Sequence, residues 1–324
     1  LRRSEANDEE MPMRTSYVLK LKLALGGLAT IAATFAAQEA RSDPPRPVTP
    51  NSNGQGFAAV YGVLPADQVE FISTAAAIKS ASASGAPSLV WEVLEHGEKV
   101  ECLDCIGAVS PLLYDSNAKT REIAAWWLRR RIFGVFGQGE VYQQTLQTLA
   151  TNANPVLRAY AANALGEFLA APGVAACAAA LGDSDPGVRA AAATALGRLN
   201  SDGGGALATA FADADPTVKL AALASAAAIN SFSGVAALAA LTTDATADVR
   251  RRAIEVLDAL RVADAVVPVV AAAQHDTDPG VRAAACHALG SFGDASVVPV
   301  LQTIFTSDAN GLVRDQANIA MLRL

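Results

Sequence analysis

Histidine, aromatic residues and cysteine are all scarce in this 324-residue chain. The three histidines, His96, His275 and His287, are isolated from one another, and aromatic residues make up 6% of the sequence. No Gly-x-Ser-x-Gly elbow and no phosphate loop occurs, and the Gly203-Gly204-Gly205 run lacks the lysine that phosphate binding needs. With no catalytic inventory of the usual kinds, the expectation is a protein that is not an enzyme and holds neither metal nor cofactor. A surplus of positive charge is also missing. Lys and Arg total 25 against 32 Asp and Glu, a net charge of −7, which argues against nucleic acid as a partner.

A membrane-spanning apolar run is the third absence. The longest candidate, Leu23 to Ala37, is uncharged but about 22 Å long as a helix, short of a hydrocarbon core of about 30 Å. It follows Arg14, Lys20 and Lys22, so residues 1–40 are expected to be an upstream extension plus an export signal, and the body is not expected to span a membrane. Residues 41–56, with four prolines, read as a linker. The expected location is periplasmic or secreted.

What the chain has in abundance is alanine, 71 residues, arranged periodically. A basic residue recurs at Arg158, Arg189, Lys219, Arg250, Arg282 and Arg314, at intervals of 31, 30, 31, 32 and 32 residues. Around it the pattern repeats, as in Asn154–Gly166, Asp185–Gly197 and Asp278–Gly290, and a divergent seventh copy begins at Asn117. Asp185, Asp215 and Asp278 each precede a proline, the arrangement of an N-cap followed by proline in the first helical position. Apolar residues then recur at helical spacing, as at Val188, Ala192, Ala195, Leu196 and Leu199. Gly166, Gly197 and Gly290 close this run, either as C-terminal caps or as points of close contact.

A second, shorter helix is expected in each interval: 174–181, 206–211, 235–241, 265–273 and 296–305. One such pair cannot bury its apolar side alone, whereas stacked pairs can. The expected fold is therefore all-α, a right-handed α-solenoid of stacked hairpins spanning residues 117–324. Residues 57–116 are expected to form a helical cap, with helices at 65–80 and 87–98 joined by a turn at 81–86. A further pair at 101–114 and 120–132 opens the array.

The Asp-x-Asp-Pro-x-Val-Arg-x-x-Ala-x-x-Ala-Leu-Gly pattern resembles HEAT-like repeats of the PBS-lyase type. It is carried in full by Asp183, Asp185, Pro186, Val188, Arg189, Ala192, Ala195, Leu196 and Gly197, with a second good copy over Asp276–Gly290. The resemblance covers Asn117 to Leu324. It implies a HEAT-like or armadillo-like architecture, in a group that includes chromophore lyases, iron hydroxylases and adaptors. The hydroxylases carry paired His-Glu steps; here no histidine is followed by glutamate, which excludes a di-iron centre of that kind.

Three residue groups stand out as candidate sites. Cys102 and Cys105 form a C-x-x-C, open to a disulfide, a thiol redox pair, half of a metal site or free thiols. Trp126 and Trp127, followed by Arg129, Arg130 and Arg131, form either a bulky core or a partner-binding patch, and Arg251 with Arg252 makes a second basic cluster. The repeated basic residues, with Asp183, Asp213, Asp244, Asp276 and Asp308 in equivalent turns, are expected to form a ladder of ion pairs and carbonyl contacts, with an anion-binding stripe as the alternative. The expected function is a protein-interaction scaffold or adaptor of the cell envelope. The alternatives are a thiol-redox protein and a structural subunit of an envelope assembly.

Overall fold

A computed structural model describes residues 74–100, 102–132 and 139–324. The chain divides into two compact units, Leu1–Val69 and Glu70–Leu324, and all described residues lie in the second. The export segment, the linker and the Pro65 helix start fall outside the described residues.

The second unit is a stack of helical hairpins, with no strand among the described residues. It opens with α1 (Ala75–Ser84) and α2 (Pro87–His96), then α3 (Leu103–Val109), which continues as a 3-10 turn over Ser110–Tyr114, and α4 (Ala118–Arg129). Six further hairpins follow. They pair α5 (Glu140–Thr151) with α6 (Pro155–Phe168), α7 (Pro172–Ala180) with α8 (Pro186–Arg198), and α9 (Ala206–Thr209) with α10 (Pro216–Ala228). The last three pair α11 (Val235–Ala240) with α12 (Ala247–Ala259), α13 (Val266–His275) with α14 (Pro279–Phe292), and α15 (Val298–Ser307) with α16 (Gly311–Met321). No described helix is long and apolar enough to cross a membrane.

The even-numbered helices from α4 onward carry the repeated basic residue and begin as their sequences dictate. Asp185, Asp215 and Asp278 accept backbone N–H bonds from Val188, Thr217 and Val281, and Asn117, Asn154 and Asn310 cap their helices in the same way. Prolines at the first helical position of α6, α8, α10 and α14 have no N–H to leave unsatisfied. One departure from expectation lies in the first helix. It runs through Ser84, and the turn is confined to Gly85 and Ala86, because Gly85 alone takes the left-handed backbone (φ 65°) that ends the helix.

Alanine sets the spacing of the stack. Three residues after each basic position stands an alanine, Ala124, Ala161, Ala192, Ala222, Ala253, Ala285 and Ala317, and all seven are buried. Gly166, Gly197 and Gly290 are close-contact points rather than caps, since each lies inside its helix. A Cβ on Gly197 would come 2.6 Å from Ser225 Oγ, and one on Gly290 would come 2.6 Å from Ala320 Cα. Larger side chains such as Leu165, Leu196, Leu223, Leu257 and Leu289 fill the space between helix layers. Each contributes about 1.5–3 kcal/mol by burial, so stability is spread along the stack.

Candidate interaction surface

The turns within the hairpins are fastened by a repeated ion pair. Arg189 shows the geometry: its Nε and Nη2 donate to the two carboxylate oxygens of Asp213 at 2.6 and 2.9 Å, while Nη1 donates to the carbonyls of Asp183 and Ser184 at 2.9 and 3.2 Å. Asp213 in turn accepts from the Asp215 backbone N–H at 2.8 Å, fixing the next turn. One guanidinium thus ties its own turn to the following one. Arg158–Asp183, Arg250–Asp276 and Arg282–Asp308 repeat the fork, and Lys219 meets Asp244 as a single-pronged version. Arg314 keeps the carbonyl contacts, to Asp308 and Ala309, with no carboxylate partner among the described residues.

The pairs are mostly shielded, with side-chain exposures of 17% and 9% for Arg189 and Asp213. The arginine bonds hold the carboxyls of Asp183, Asp213, Asp276 and Asp308 below their ordinary value. For Asp244 burial opposes the shift, but the Lys219 bond and the Thr246 N–H carry it downward as well.

At its amino-terminal end the ladder changes character. Arg121 of α4 donates to the Asp115 and Ser116 carbonyls at 2.6 and 2.9 Å, yet the next turn offers Asn152 in place of an acid. Its guanidinium lies over the Tyr160 ring instead, 3.8 Å from the centroid.

The Trp126–Arg131 cluster divides into two groups. Trp127 and Arg131 are buried and are withdrawn from any partner. Trp127 Nε1 donates to the Gly97 carbonyl at 3.0 Å, and Arg131 lies over the Trp127 ring at 3.6 Å while donating to the Glu98 and Val100 carbonyls at 2.5 and 2.9 Å. Together they clamp the connection between α2 and α3. Trp126 and Arg129 are half-buried, and Arg130 is exposed and paired with Glu98 at 3.1 Å. Arg251 pairs with Asp248 and Glu255, and Arg252 with Glu255, so that basic cluster is neutralised on its own helix.

Trp126 belongs to a longer feature that the sequence pattern did not reveal. It lies five residues after Arg121, and the same step from each basic residue leads to Asn163, Thr194, Ala224, Glu255, His287 and Ile319. None of the seven is buried, and they sit on successive helices that pack side by side. Near its start, Glu167 of α6 pairs with Arg198 of α8, and burial pushes the Glu167 carboxyl above its ordinary value. Farther along, His287 Nε2 of α14 lies 3.6 Å from Asp258 Oδ2 of α12 and 3.4 Å from Nη1 of Arg323, just past the end of α16.

The sulfurs of Cys102 and Cys105 are at disulfide distance, with Cα atoms 5.2 Å apart. Cys177 and Cys286 are buried, and burial pushes both thiols up to about 12, so neither is a nucleophile at neutral pH. No group of three metal-ligating side chains occurs among the described residues.

Stacked hairpins, a fastened edge and a partly exposed ridge define an α-solenoid of the kind that mediates protein contacts. The HEAT-repeat model matches residues 142–227 and 234–322, more than half of the sequence, and the chain belongs to the HEAT-repeat family. That match is to HEAT repeats in general and does not single out the PBS-lyase type. No curated protein matches the chain. Among solved structures, YibA of Escherichia coli superposes with a TM-score of 0.52 at 17% identity, over 83% of this chain and all of that one. Kap121p gives a TM-score of 0.55 at 14% identity, over 78% of this chain, which spans 33% of Kap121p. At these identities the likeness is one of fold.

Proposed function

We propose that this chain is a non-enzymatic protein-interaction scaffold of the cell envelope, and that its contact surface is the ridge from Trp126 to Ile319. The observation that carries the proposal is internal to the chain. Two positions earlier on the same helices all seven repeats have buried alanine, whereas the ridge holds seven different residues: Trp, Asn, Thr, Ala, Glu, His and Ile. Packing holds the first position to alanine, whereas the second accepts side chains of every size and charge and so can carry recognition chemistry. Trp126, with its large area, is the natural anchor. The envelope location is supported by the basic and apolar character of residues 14–37 and by a cysteine pair at disulfide distance, which suits an oxidising compartment.

The test is site-specific photo-crosslinking in the native host. A photoreactive residue at Thr194 or Ala224 should yield discrete protein adducts, and one at the exposed Gln147 of α5 should not. Adducts from Gln147 alone would assign recognition to the opposite helices. Fractionation of the full-length chain addresses location separately: recovery in the cytoplasm would remove the envelope part and leave the ridge untouched.

A further inference from the structure

The two cysteines of the C-x-x-C are not equivalent. Cys105 is wholly buried, packed under α1 with its sulfur 3.7 Å from the Ala75 carbonyl oxygen. Cys102 is only partly buried and is followed by two outward-facing residues, Leu103, which is 59% exposed, and Asp104. We propose that the Cys102–Cys105 disulfide is a thiol-exchange site that is attacked at Cys102 alone.

The step balances with one co-reactant, an external thiol. Its thiolate attacks the Sγ of Cys102, the less buried of the two residues, a new S–S bond forms, and the Cys102–Cys105 bond breaks with its electron pair leaving on Cys105. The proton that the external thiol gives up on forming its thiolate balances the one that converts Cys105 to a thiol. As a thiol it donates to the Ala75 carbonyl already 3.7 Å away, a bond the disulfide lacks a hydrogen to make. Attack in the other sense requires an approach to a sulfur with no exposed surface. Return attack by the Cys105 thiolate expels the external thiol, so the mixed disulfide is reversible.

The surroundings let the exchange proceed without unfolding. The chain before Cys102 is held independently, because Trp127 and Arg131 bind the carbonyls of Gly97, Glu98 and Val100. Lys79 and Asp104, 3.4 Å apart, connect α1 to α3. Neither contact passes through the disulfide. The motif is therefore a modification point on a folded unit, and the other two cysteines, buried in the repeat helices, take no part.

The experiment uses the full chain, oxidised and folded, with β-mercaptoethanol as the thiol, followed by acid quenching and peptide mapping. The expected product is a mixed disulfide on Cys102, with Cys105 a free thiol and the far-UV circular dichroism unchanged. A mixed disulfide on Cys105, or a bond that resists the thiol until urea is added, overturns the proposal. Two single variants give a second readout. With iodoacetamide, Cys102 in Cys105→Ser should be alkylated at least about tenfold faster than Cys105 in Cys102→Ser, and urea should erase the difference. Equal rates in the folded proteins would also overturn it. If either variant fails to fold, the wild-type mapping alone decides.

Discussion

At the scale of single residues, the ladder makes stability depend on pH with a definite sign. The carboxyls of Asp183, Asp213, Asp244, Asp276 and Asp308 titrate below their ordinary value in the folded chain. Between the folded and unfolded values the unfolded chain binds more protons, so stability falls as pH falls through that window. The contribution is complete well above about pH 4, the ordinary aspartate value, and is lost progressively as pH falls through that value to the lowered ones. Glu167 acts in the opposite direction, because its raised value means that the folded state takes up a proton more readily as pH drops. Seven lowered carboxyls, these five with Asp202 and Asp294, against one raised predict a net loss, and chemical denaturation at pH 6, 4 and 3 should show a falling midpoint. A midpoint that is flat or rises would mean that the pairs contribute nothing. Backbone strain gives a second prediction. Leu169 ends α6 with φ 53°, in the left-handed region that disfavours a bulky side chain, and it is 52% exposed. Asn200 and Arg261, at equivalent helix ends, share this backbone but use their side chains to reach Asn230 N–H and the Ser291 carbonyl in the next hairpin. Leu169 makes no such link, and Gly293 occupies the same position in α14. Leu169→Gly should therefore raise stability by about 0.5–1 kcal/mol in urea unfolding.

At the scale of helices, glycine has opposite meanings in different elements. Gly197→Ala and Gly290→Ala would drive a methyl to 2.6 Å from the neighbouring helix, and each should cost about 1–3 kcal/mol. Gly107, inside α3, has nothing within 4 Å of the place a methyl would take, so Gly107→Ala should stabilise by about 0.5–1 kcal/mol through helix propensity. Comparison of the three denaturation midpoints checks both signs. The sequence predicts helix starts well because Asp-Pro and Asn-Pro caps are local chemistry, and the Arg register follows from a strict period. It leaves the role of Gly166, Gly197 and Gly290 open, since the atoms that decide it lie on a helix about 30 residues later. The same distance hides the fate of Trp127 and Arg131. Adjacent residues look alike in sequence, but the carbonyls that claim these two, in Gly97 to Val100, are brought there only by packing. The ridge lies five residues after each basic position, but its signal is variation across the repeats, which the repeated pattern itself does not display.

At the scale of the whole repeat array, each hairpin touches chiefly its neighbours, so a local defect should stay local. The ladder also marks where the array is fastened least: between α4 and α6, Arg121 lies over Tyr160, and the following turn carries Asn152 where the others carry an acid. Amides of α4 and α5 should therefore exchange faster than those of α8 or α14. Native-state hydrogen exchange on Arg189→Met, read hairpin by hairpin against wild type, tests the fastened stack most directly. Removing this fork should cost about 2 kcal/mol of protection in α8, α10 and the turns at Asp183 and Asp213, and leave α4 and α16 at wild-type protection. A protection loss spread evenly from α1 to α16, or none at all, would contradict the account.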